Sequence, residues 1–195
     1  MVVQQQAAEY VGGEVDNGEH FGGLQQLMAK FPPPSDRLPV DSLKPAQDGA
    51  GIPSDYHRLL EVYGPGCFDE FLWVFGEGVE DGHLDILART QEMRSILGRK
   101  DIPKLQNVLT GYGASVEDLV QWGITDNADL LVWVANGPSD SWPTVIIQAG
   151  QLDVFVYAGR STDVLLDLLN GSVRPAFFPE DFPSDHPRFS VNPYG

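Results

Sequence analysis

The chain has 195 residues and carries 28 acidic residues against 12 Lys and Arg, which gives a net charge of −16. This charge excludes general binding to nucleic acid phosphates or to an anionic membrane surface, because both depend on Lys and Arg. The content of 42% hydrophobic and 10% aromatic residues also excludes a disordered acidic tail and predicts one globular domain with extensions.

A single cysteine, Cys67, cannot form an internal disulfide. It begins an apolar run, so we expect a buried structural thiol rather than a nucleophile. The first six residues lack the basic and apolar regions of a signal peptide. Apolar runs of about five residues fall far short of the ~20 needed to cross a bilayer. These features predict a cytoplasmic protein that does not associate with membranes.

Residues 1–50 are predicted to be an N-terminal extension. Leu24, Leu27, Met28 and Phe31 have the i, i+3, i+4, i+7 spacing of one helix face. The three prolines that follow end this helix, because proline cannot continue it. The remaining residues are rich in proline and are typical of a linker.

Residues 51–175 are predicted to form the main domain. A second helix, with Ser54 as its N-cap, repeats the same apolar spacing at Tyr56, Leu59, Leu60 and Tyr63. The aromatic run 68–75 predicts a strand. Two helical segments are expected at 84–98 and 102–109. Residues 89–104, which span both segments, contain five of the twelve Lys and Arg residues, and we interpret them as a solvated helix face.

The second half of the main domain changes to short apolar runs separated by turns, which predicts an antiparallel meander. These predicted strands are 119–122, 130–134, 144–147 and 152–157. A closing helix is expected to begin at a Ser161 cap and to end before Gly171. Residues 176–195 form a tail rich in proline and aromatic residues. The elements predict an α+β fold, a single domain with a mostly antiparallel sheet flanked by helices.

The sequence carries no recognisable catalytic or cofactor motif. It has no glycine-rich phosphate loop and no Gly-x-Ser-x-Gly elbow, and its four histidines lie in separate segments without zinc-ligand spacing. We therefore predict no catalytic residue, no cofactor and no metal ion. An enzyme that uses Cys67 or the pair His83 and Asp85 is the alternative.

Three segments resemble, in chain order, motifs of the SUKH superfamily. Residues 52–66, from Ile-Pro to Tyr-Gly-Pro-Gly, are similar to its opening helix and the turn that ends it. Residues 122–143 resemble its Thr-Asp-x-Gly-Asp turn and its strand pair with a Trp-Pro entry. Residues 161–171 are similar to its closing helix. The chain departs from the pattern at Ala128, where glycine is common, and at Asp163, where glutamate is common.

The resemblance implies an α+β fold without catalytic residues or a cofactor. It further implies a bacterial immunity protein, which binds and neutralises a toxin made by the same or a neighbouring cell, often a nuclease or a deaminase. An acidic inhibitor would be drawn to the basic cleft of a nucleic-acid-cleaving toxin. The expected partner is thus a basic protein.

Acidic residues in predicted turns are the candidate contacts with this partner, and Trp142 is a candidate exposed aromatic anchor. The acidic candidates are Glu77, Glu80, Asp81, Asp126, Asp129 and Asp140. For Asp126 and Asp129, capping of a turn is the alternative role. For Trp142 the alternative is a place in the core.

The superfamily also includes the yeast cell-wall-assembly regulator. It therefore implies a second function, a regulatory or scaffold module that binds a host protein. In that case the proline-rich extensions would be the binding segments.

Overall fold

The computed structural model describes residues 22–34, 51–150 and 153–191, and the fold within these ranges is α+β. The five helices are α1 (Gly22–Lys30), α2 (Ser54–Tyr63), α3 (Ile86–Leu97), α4 (Pro103–Gly111) and α5 (Ser161–Leu169). The seven strands are β1 (Gly66–Phe68), β2 (Leu72–Val74), β3 (Leu119–Thr125), β4 (Leu130–Val134), β5 (Thr144–Ile147), β6 (Val154–Tyr157) and β7 (Phe189–Ser190).

The strands form one antiparallel sheet in the order β6-β5-β4-β3-β2-β1-β7. Along β4, the alternation of a strand places Leu131 and Trp133 on one face and Val132 and Val134 on the other. The first pair packs in a core with residues of α1, α2 and α5, and the second in a core with residues of α3 and α4. The sheet is therefore the middle of three layers, and the predicted fold class is confirmed.

The predicted strand at 68–75 is in fact the hairpin of β1 and β2. Asp69 and Glu70 interrupt the aromatic run with φ values of +57° and +53°. The turn is closed by the Phe71 N–H, which donates to the Phe68 carbonyl at 3.1 Å. Left-handed backbone cannot continue a strand, so the chain reverses here. The predicted strands 130–134 and 144–147 are confirmed without change.

The predicted helix caps at Ser54 and Ser161 are wrong, because both residues lie inside their helices. The residues that precede them, Pro53 and Arg160, make no side-chain cap hydrogen bond. Ser161 has another role: its hydroxyl accepts a hydrogen bond at 3.0 Å from the buried Trp133 indole N–H.

Carboxylates from distant parts of the chain supply the caps instead. The Ser54 N–H donates to Asp140 Oδ1 at 2.7 Å. The Thr162 N–H and hydroxyl donate to Asp55 Oδ2 at 2.8 and 3.1 Å. Each acid satisfies a donor that the first turn of a helix leaves unpaired. Helices α2 and α5 are thereby joined to each other and to the loop before β5.

The segments predicted as extensions contribute to the same core in their described parts. Leu27 of α1 is completely buried, and the Tyr63 hydroxyl donates to the Phe31 carbonyl at 2.6 Å. In the tail, β7 pairs with β1, and Phe178 and Phe182 pack around Phe71. The predicted boundaries at residues 50 and 175 therefore do not separate independent packing units. The predicted proline-rich linker falls mostly outside the described residues.

Candidate partner-binding surface

The structure separates the seven predicted contact residues into buried and accessible ones. Trp142 and Asp129 are only 5% and 2% exposed. Glu77 is half-buried. The exposed candidates are Glu80, Asp81, Asp126 and Asp140. The seven residues therefore do not form one surface.

Trp142 is a core residue, so the prediction of an exposed anchor is wrong. Its indole N–H donates to the Gly137 carbonyl at 3.0 Å, and its ring lies 6.2 Å from that of Trp133. A buried indole needs such an acceptor for its single donor. The alternative that placed Trp142 in the core is confirmed.

Asp129 holds the turn between β3 and β4 and is not a surface contact. Its carboxylate accepts from the Thr125 hydroxyl at 2.9 Å and from the Ala149 N–H at 2.8 Å. Burial raises the pKa of this carboxyl, and these two hydrogen bonds oppose the rise. The turn-capping alternative is therefore confirmed for Asp129.

Asp140 and Glu77 also lie away from the accessible cavities described next. Asp140 caps α2, as shown above. Burial raises the pKa of Glu77, the nearby charge of His57 lowers it, and that of Asp85 adds to the rise. Neither acid is among the residues that line these cavities.

Asp81 and Asp126 come from separate loops and meet at one cavity of about 370 Å³, which we call the wide cavity. Asp81 lies in the loop before α3, and Asp126 in the turn after β3. The other residues that line the wide cavity are Trp73, Phe75, His83, Leu84, Arg89, Ile124, Thr125 and Ala128. The cavity therefore combines an apolar lining with two exposed carboxylates.

The sheet forms the floor of the wide cavity. Trp73 of β2 and Ile124 of β3 are register partners, so their side chains lie side by side on one face. Trp73 is only half-buried, unlike Trp122 and Trp133, which are completely buried. The partial exposure of Trp73 makes its indole accessible from the wide cavity.

A second, narrow cavity of about 110 Å³ continues along α3, and it shares Arg89 and Ala128 with the wide cavity. Arg89 is not on the predicted solvated face: its side chain is 21% exposed and pairs with Glu92 at 2.5 Å. Ala128 has a φ of +66°, a strained value for a residue with a side chain. Strained residues often cluster at ligand sites. We call the two cavities together the α3 groove.

Two of the residues that the alternative enzyme hypothesis would use, Asp85 and Cys67, have structural roles. Asp85 is the N-cap of α3, because it accepts from the Ala88 N–H at 2.8 Å, and it also accepts from Gly78. Cys67 is completely buried, as predicted, and burial raises the pKa of its thiol to about 12. In the part of the chain that the structure describes, no three His, Cys, Asp or Glu side chains are grouped to hold a metal ion.

Comparison of the chain with protein-family models, curated proteins and solved structures found no match. The resemblance to the SUKH superfamily therefore stays a prediction. Among residues 22–34, 51–150 and 153–191, no helix has the length and apolar composition needed to span a bilayer.

Burial makes the stability of this protein dependent on pH in a defined direction. Desolvation raises the pKa values of Glu77, Asp129 and Asp163 in the folded state. The folded state then binds protons more tightly than the unfolded chain. We expect the free energy of unfolding to rise as the pH falls from about 7 through these raised values toward about 4, where unfolded carboxyls titrate.

Two partly exposed carboxyls act in the opposite direction at lower pH. Hydrogen bonds from Ser115 and Lys104 lower the pKa values of Asp118 and Asp153. Their contribution to stability is lost as the pH falls below about 4 toward the lowered values. Urea unfolding at a series of pH values tests this pH dependence of the free energy of unfolding. An Asp129→Asn variant is the control, because it lacks one of the carboxyls with a raised pKa. A steady loss of stability from about pH 7 to 5 would contradict the expectation.

Proposed function

We propose that this chain is a non-catalytic bacterial immunity protein that acts in the cytoplasm. It binds and neutralises a basic protein toxin, such as a nuclease or another toxin that targets nucleic acids. The observation that carries the proposal is the α3 groove, where Asp81 and Asp126 meet beside an accessible tryptophan. Such a groove suits a basic partner, because opposite charges at an interface speed association and select the partner.

The overall charge supports the same partner. A net charge of −16 attracts a basic protein over long range, and salt screens this attraction. The resemblance of three segments to the SUKH superfamily adds the toxin as the class of partner.

The regulatory or scaffold function is less well supported. It assigns partner binding to the extensions, whereas α1 and the described part of the tail pack into the core. A partner could not bind the buried side chains of α1 and of the tail without unfolding the core in which they pack. We therefore favour the immunity function.

Co-expression tests the proposal directly. Toxins encoded by the genes next to this one are expressed in a host cell with and without this chain. We expect this chain to restore the growth of cells that express one of these toxins. We also expect the purified chain and that toxin to associate more slowly as the salt concentration rises. A Cys67→Ala variant should rescue growth equally well, since the thiol is buried away from the α3 groove and the proposed binding does not use it. Failure to rescue growth from any of these toxins would refute the proposal.

A further inference from the structure

We infer that the wide cavity is a pocket for an arginine or lysine side chain of the partner protein. This inference deepens the proposed function, because it names the chemical group by which the partner is recognised. It rests on the size, the charge and the aromatic lining of the cavity.

The wide cavity has the size of a side-chain pocket. Its volume of about 370 Å³ is near the lower end of the range of small-molecule sites. It is lined by residues of the loop before α3, by Arg89 of α3, by the turn after β3 and by side chains of β2 and β3. The narrow cavity extends this space along α3 and can receive the residues that flank the inserted side chain.

The charges at the wide cavity favour a cation. Arg89, the one arginine that lines it, pairs with Glu92 through one terminal nitrogen, while its buried Nε finds no hydrogen-bond partner among the described residues. One oxygen of Asp81 accepts from the His83 N–H at 2.8 Å, which holds this carboxylate in place. Asp126 is exposed and lines the same cavity. An entering guanidinium or ammonium group would thus meet two carboxylates, with charge-assisted hydrogen bonds as the result.

The aromatic floor favours the same group. A cation above the face of an indole is attracted by its ring quadrupole, and tryptophan gives the strongest such attraction. The alkyl stem of arginine or lysine can pack on Ile124, beside Trp73, and on Leu84 while its charged end reaches the carboxylates. An aliphatic side chain would desolvate both carboxylates and offer them no charge-assisted hydrogen bond, which is unfavourable.

NMR titration of the isolated protein with small capped amino acids tests the pocket. The probes are N-acetyl-arginine amide, N-acetyl-lysine amide, N-acetyl-citrulline amide and N-acetyl-glutamate amide. We expect the arginine and lysine probes to shift the Trp73 indole and Ile124 amide signals saturably, with dissociation constants in the millimolar range. Citrulline has nearly the same shape without the charge, so we expect it to bind at least about tenfold more weakly.

Two matched variants locate the effect. Asp81→Asn with Asp126→Asn keeps the hydrogen-bond acceptors and should weaken arginine binding at least about tenfold. Glu117→Gln with Asp181→Asn removes the same charge at exposed sites outside the α3 groove and should leave arginine binding unchanged. Unchanged amide spectra elsewhere show that each variant is folded.

Three results would overturn the inference: equal binding of citrulline, stronger binding of the glutamate probe through Arg89, or equal losses in both variants. The titration uses no toxin. If it fails while growth rescue succeeds, the pocket is rejected and the immunity function stands. If growth rescue fails while the titration succeeds, the immunity function is rejected and the pocket stands.

Discussion

Replacement of Asp55 by alanine is expected to lower the free energy of unfolding by about 2–3 kcal/mol. Asp55 is 3% exposed, and its carboxylate accepts from the N–H and the hydroxyl of Thr162. The alanine variant leaves both donors buried without an acceptor at the start of α5. Loss of a cap costs about 1 kcal/mol, and an unsatisfied buried donor about 1–3 kcal/mol.

The neighbouring Asp163 reduces this effect without cancelling it. The charge of Asp55 raises the pKa of Asp163, second only to burial, so the two carboxylates repel each other. Asp55→Asn keeps an acceptor for Thr162 and removes the repulsion. We therefore expect the asparagine variant to lose about 1 kcal/mol less than the alanine variant.

Urea unfolding of both variants, with Asp181→Ala at an exposed site as control, measures this difference. We expect the control to lie within about 0.5 kcal/mol of the parent protein. If Asp55→Ala costs no more than the control, the cap between α2 and α5 does not stabilise the fold.

Local patterns in the sequence were sufficient for the elements whose structure is decided locally. The spacing of Leu24 and Leu27 predicted α1, and short apolar runs predicted β4 and β5 with their observed bounds. Periodicity identifies these elements because each has an apolar face or run that must be buried. The α+β class followed from their order along the chain.

Features that depend on contacts between distant residues could not be predicted in this way. The caps by Asp55 and Asp140 join positions far apart in sequence, and no local pattern marks them. The hairpin turn had a signal, the acidic pair at 69–70 in an aromatic run, but we interpreted the run as one strand. Trp73 was missed as a site residue because its place in the wide cavity depends on residues that are distant in sequence, which no local pattern marks.

The candidate site illustrates the same limit. The acidic turns were recognised from the sequence, but only the fold distinguishes those that structure the chain from those that face a cavity. Asp129 and Asp140 satisfy backbone donors of the fold itself. Asp81 and Asp126 line one cavity, although one lies in the loop before α3 and the other in the turn after β3. Charge alone therefore predicts the kind of partner but not the surface that binds it.

The largest functional effect is expected from Asp81→Asn combined with Asp126→Asn in the complex with the neutralised toxin. Each substitution removes a charged acceptor from the wide cavity while it keeps the shape of the side chain. If the partner inserts a basic side chain here, a loss of about 2 kcal/mol is expected, which weakens the complex about 30-fold. Calorimetry measures this change in affinity, and growth rescue should weaken with it.

The control for this prediction must separate the groove from the general charge of the protein. Glu117→Gln with Asp181→Asn changes the net charge equally, but at exposed positions that do not line the α3 groove. Because distant charges act mainly through long-range steering, this variant should slow association slightly and leave dissociation unchanged. The groove variant should instead dissociate faster, since it loses contacts made only in the complex. Equal losses in the two variants would mean that the toxin responds to overall charge and that the α3 groove is not its binding site.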